Sequence, residues 1–147
     1  MMPLTGEKIE FLMMILPVFD LPEGRQIRFS YAESIAAAFR EPVIREIMRA
    51  NKNGSMYCPD TEHTADIVFL ILNELWYQIC LNILRKEKAG IHMDLSELLN
   101  IISAYRNSIE RVMSAPYGSF VLLDMDDIKQ LTEQIHYNRK LQNNNAE

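Results

Sequence analysis

The chemically richest stretch of the chain is Cys58-Pro59-Asp60-Thr61-Glu62-His63, where a thiol, two carboxylates and an imidazole fall within six residues. Such groups can ligate zinc, and a thiol beside an imidazole can form a nucleophile and its base. The spacing carries neither chemistry far. No second Cys or His pair stands at zinc-finger or ribbon distance, and Cys58 would need His63, His92 or His136 folded to within hydrogen-bond reach, beside an oxyanion-stabilising pocket. A plainer role accounts for the same residues: Asp60 or Thr61 accepts the unpaired amides of a first helical turn, and Glu62 sits favourably against the positive end of the helix dipole. The cluster is therefore expected to be a helix entry. Catalysis through Cys58 and His63 ranks third among the functional readings, and no metal and no cofactor are expected.

The remaining carboxylates read similarly. Asp124, Asp126 and Asp127 could supply acid/base or divalent-ion chemistry, but a helix start favours such a cluster through its free amides. Glu74 is less ordinary, because it stands in a helical stretch among Leu70, Ile71 and Tyr77, where a buried carboxylate must find a donor or keep its proton. Glu74 and Asn73 are expected to face solvent, another helix or a partner rather than a substrate. The five glycines, Gly6, Gly24, Gly54, Gly90 and Gly118, are scattered, and neither GxxxxGK[ST] nor GxGxxG occurs, so nucleotide binding by those loops is excluded. HExxH and GxSxG are likewise absent.

The elements that must position these groups are helical. Residues 61–88 hold the only tryptophan and run without Gly or Pro, far beyond the length of a strand. On a helical wheel Val68, Phe69, Leu72, Leu75, Trp76, Ile79, Cys80 and Ile83 share one broad face. The opposite face mixes Asp66, Asn73, Glu74, Gln78, Asn82 and Arg85 with Ile67, Leu70, Ile71, Tyr77, Leu81 and Leu84, so covering one side alone leaves apolar surface in water. Around this central helix the sequence predicts a first helix over 7–16 ended by Pro17, and an ordered loop over 18–29. A helix over 31–39 follows, opened by a Ser30/Glu33 capping box, and then a second over 42–50 that starts at Pro42 and stops at Asn51–Gly54. Asp94 with Glu97 opens a further helix to about Met113, and Asp124 opens the last, to about Leu141. The expected fold is all-α: a compact bundle of five to six helices around a long central helix at about 61–88, with little or no sheet, forming one domain over 1–141 with a disordered polar tail at 142–147.

Composition bounds the function. The 147 residues are 48% hydrophobic and 24% charged, enough for one packed domain, and the net charge of -5 with a pI near 5.2 argues against a surface made wholly for nucleic acid or anionic membrane. No targeting segment is expected: the amino-terminal stretch lacks a basic start and carries Glu7 and Glu10 ahead of its apolar core. No membrane span is expected either, since the longest uncharged apolar run, 67–73, is far short of roughly 20 residues. Two cysteines 22 apart point to reduced thiols and a cytoplasmic setting.

Arg25, Arg28, Arg40, Arg45, Arg49 and Lys52 against Glu33, Glu41 and Glu46 make residues 25–52 locally basic. Together these features predict a non-enzymatic regulator, inhibitor or adaptor that binds an acidic patch on another protein, with Arg40, Arg45, Arg49, Glu74 and Gln78 as partner-binding residues and a homodimer as its expected state. A DNA-binding regulator using the pair at 31–50 as a helix-turn-helix is the second reading.

Overall fold

The computed structural model describes residues 14–15, 17–18, 21–91, 94–124, 126, 129–130, 132–133 and 137. Among them stand three full helices and no strand: α1, Gly24–Lys52; α2, Thr61–Lys88; and α3, Leu95–Val112. The all-α class holds. Among the described residues the count is three rather than five to six: two of the expected helices are one in α1, and the expected first and last helices lie largely outside the described residues.

Residues 31–39 and 42–50 are one helix rather than two. Pro42 cannot donate to the carbonyl of Ala38, and alone it would end or bend the helix. Here Pro42 and Ala38 are both exposed, so the ring can point into solvent and water can replace the lost bond. Ser30 accordingly caps nothing: its carbonyl accepts from the Ser34 hydroxyl inside the helix. The expected loop over 18–29 is also shorter than anticipated, because once Pro22 is passed no residue between Gly24 and Ala38 resists helix, and α1 starts at Gly24. Removing the turn at Arg40-Glu41 also removes the geometry on which the helix-turn-helix reading rested. Of the expected helix at 7–16, only residues 14 and 15 are described; most of the helix after Asp124 and the whole of 142–147 also lie outside the described residues.

α2 matches its expected span. Asp60 caps it, accepting the His63 amide at 3.1 Å. Gly90 ends it with φ 71°, a left-handed conformation that lets the Ile91 amide reach back to the Lys86 carbonyl at 3.0 Å. α1 ends the same way through Gly54, φ 75°, and α3 through Ser114, whose φ of 47° is unusual for a residue with a side chain. Asp94 caps α3 by accepting the Ser96 amide at 2.9 Å. Glu97 instead pairs with Lys86 across to α2 at 2.6 Å, so the capping box expected there is only half built.

α1 and α3 both run antiparallel to α2, since Arg28 meets Tyr77 while Arg40 meets Asp66, and Lys86 meets Glu97 while Ile109 packs near Val68. Two apolar clusters hold the bundle. Leu75, Ile79, Cys80 and Ile83 of α2 pack on Leu98 and Ile102 of α3. Ile44 and Ile47 of α1, Cys58, Ala65 and Val68 of α2 and its entry, and Ile109 and Met113 at the end of α3 form the second. The α1–α2 turn is pinned by Asn51, whose side-chain amide donates to the Cys58 carbonyl at 2.6 Å and accepts from its N–H at 2.8 Å. Buried Glu110 anchors the loop after α3 by accepting the Phe120 amide at 3.1 Å. Burial alone would raise its pKa, but the amides of Gly118, Phe120 and Ser119 and the charge of Arg106 outweigh that and hold the carboxyl below its ordinary range.

Candidate binding cleft

The stretch richest in reactive groups is structural. The Cys58 thiol is buried and donates to the Met113 carbonyl at 3.0 Å, and burial pushes its pKa up. His63 is exposed and its Nδ1 pairs with Asp60 Oδ2 at 2.6 Å, which raises the imidazole; the Asp60 carboxyl is lowered first by the His63 backbone amide it caps and then by this side-chain bond. The two members of the supposed nucleophile pair thus have different partners, one inside the core and one in solvent. The other thiol, Cys80, is pushed up to about 12 by burial. Among the described residues no group of three His, Cys, Asp or Glu is placed to hold a metal ion.

What the helices do build is a cleft. The carboxyl-terminal half of α1 packs on α2 through Ile44 and Ile47, but its amino-terminal half, from Arg25 to Ala36, leaves a space of about 1050 Å³ against the middle of α2. Phe29 and Ile35 line it from α1, and Phe69, Leu70, Leu72 and Trp76 from α2. Phe69 is buried at its base, whereas Phe29 and Leu70 are 65% and 69% exposed. The second apolar side of the central helix is therefore only partly covered by the described residues: Leu84 is buried and Ile71, Tyr77 and Leu81 are half-buried, whereas Ile67 and Leu70 stand exposed. α2 is also long and apolar enough, over Thr61–Lys86, to cross a membrane by length and composition; in this fold its most apolar face is the core shared with α1 and α3.

Arg40 closes one end of the cleft. Its guanidinium forks onto Asp66, with Nε donating to Oδ1 at 2.8 Å and Nη2 to Oδ2 at 3.3 Å, and also reaches Glu62 at 3.3 Å. These bonds raise the Arg40 pKa and hold the Asp66 carboxyl below its ordinary range. Arg40, expected at a partner surface, thus clamps α1 to α2. Arg45 and Arg49 lie on the exposed side of α1, Arg49 pairing with Glu46 at 2.6 Å. On α2, Gln78 donates to Glu74 at 2.7 Å, and Glu74 lines the cleft. The five residues are therefore not gathered at one place. Arg25, Arg28 and Phe29, which do border the cleft, were hidden by the expectation of a loop there. The signal available in sequence was the surplus of apolar residues on the second side of α2.

These features define an all-helical protein with an open, largely apolar cleft between two antiparallel helices. No family model matches the chain, and no curated protein or solved structure matches it.

Proposed function

We propose that the protein is a non-enzymatic binding module, an adaptor or inhibitor, that takes a segment of another protein into the cleft between α1 and α2. The observation that carries this is Phe29 and Leu70, two large apolar side chains standing well exposed on facing walls of a roughly 1050 Å³ space. An apolar surface of this kind is costly in water and is offset when a partner covers it. Both cysteines are free and buried, which fits the reducing, cytoplasmic setting proposed for it. A homodimer joined through this face is the other way to cover it, and it enters the tests below.

Affinity purification of the full chain from its host's lysate, beside Leu70→Asp and with nuclease present, tests the reading. Leu70 is mostly exposed, so the variant is expected to keep the helical circular dichroism of the parent. A stoichiometric protein that survives nuclease and is lost with Leu70→Asp supports the proposal. Equal recovery by both forms, or recovery of nucleic acid alone, refutes it.

A further inference from the structure

The charges bordering the cleft are ordered along it, and we infer from that order that its partner is an amphipathic helix of about three turns bearing carboxylates at one end. The inference rests on the reading of the cleft as a protein-binding site. Along α1 the cleft extends from Arg25 to Ala36, roughly 16 Å at 1.5 Å per residue, or three turns of a helix laid beside it. Arg25 and Arg28 mark its first end. There α1 begins after Glu23 with the Gly24 and Arg25 amides already donating to the Leu21 and Pro22 carbonyls at 3.0 and 3.4 Å, so the positive charge of this end comes from the two arginine side chains. Arg28 spans the cleft with its guanidinium 3.7 Å from the centre of the Tyr77 ring, which holds the charge at the wall while leaving its edge available to an acceptor.

Further along, the lining turns acidic. Glu33 stands on α1 and Glu74 on α2, and Asp66 beyond them is already matched by Arg40. The floor between is apolar. Two helices form the walls and no strand edge occurs among the described residues, so nothing here offers an extended peptide a backbone ladder. Shape therefore favours a helix whose apolar residues recur at i, i+3 or i+4, and i+7. Its carboxylates belong over Arg25 and Arg28, and from its middle onward, where it meets Glu74 and then Glu33, it is neutral or basic.

Panning a randomised 16-residue peptide library on the full chain, with parallel pans on Leu70→Asp and on the double variant Arg25→Glu/Arg28→Glu, tests this. The expected enriched peptides have helical apolar spacing and Asp or Glu in one terminal turn. They lose about tenfold in affinity to either variant, and the double variant itself selects Lys or Arg at that end. Peptides that depend on Leu70 but show no terminal acid preference overturn the inference and leave the cleft reading standing. Peptides indifferent to Leu70→Asp, or no enrichment at all, overturn both. A parent dimer that Leu70→Asp turns into a monomer by light scattering assigns the cleft to a second copy of the chain, and that also overturns the inference.

Discussion

Ile79 and Leu70 lie nine positions apart on α2, so truncating each to Ala probes two sides of one helix. Ile79 is 1% exposed inside the cluster with Leu98 and Ile102, whereas Leu70 is 69% exposed at the cleft. Ile79→Ala deletes about three carbons, worth roughly 2.4 kcal/mol at about 0.8 kcal/mol per buried CH₂. The cavity left between α2 and α3 brings the total to about 3–4 kcal/mol, within the usual range for such core truncations. Leu70→Ala removes side-chain atoms that water already reaches, and Ala is the better helix former, so its change should stay within about 0.5 kcal/mol of zero. For a chain of this size the first substitution lowers Tm by roughly 6–16 °C, and the second by no more than about 2 °C. Urea titrations followed by circular dichroism at 222 nm read both, with the slope in denaturant showing whether two-state unfolding persists. If Leu70→Ala proves as costly as Ile79→Ala, the cleft is filled in solution and the argument for an open binding surface fails.

Other consequences concern the turns and caps. Asn51→Asp replaces the amide donor to the Cys58 carbonyl by a carboxylate oxygen that repels it, and should cost about 1–3 kcal/mol in urea unfolding, whereas a neutral result would mean that the α1–α2 turn is held by packing alone. Ser114→Gly relieves a left-handed residue at the end of α3 and should stabilise by about 0.5 kcal/mol after the added freedom of glycine in the unfolded chain is counted; a lower denaturation midpoint would show that Ser114 is not in that conformation. The His63–Asp60 pair has a defined pH window. His63 is raised from 6.5, so its contribution is full below that value and is lost as pH rises through the folded-state value; Asp60 is lowered from 3.8, so its contribution is present above that value and is lost as pH falls through the folded-state value. Nuclear magnetic resonance titration of His63 should give a midpoint above 6.5 that falls in Asp60→Asn, and identical midpoints in the two proteins would exclude the ion pair.

The sequence by itself determined the elements whose signals are local. The unbroken run at 61–88, a cap at Asp60 or Thr61, the stop at Gly90 and the cap at Asp94 each depend on a few neighbouring residues, and the structure places them where the residue types put them, with Asp60 as the cap. It also indicated that the central helix has more apolar surface than one packed face requires. α1 was read as two helices because Ser30, Pro42 and Gly24 carry local signals of starts and breaks; continuity through Pro42 instead goes with packing of Ile44 and Ile47 on α2 and with a lost hydrogen bond on the exposed side. The candidate site was decided by tertiary structure almost throughout. Arg40 resembles a free surface charge until Asp66 and Glu62, more than twenty positions away, are brought to it, and Phe29 gains meaning only where it lines the same cleft as Leu70 and Trp76 of α2. Periodicity reports which residues share a face of one helix, whereas the distance between two helices, and hence a cleft, depends on contacts that no local pattern encodes.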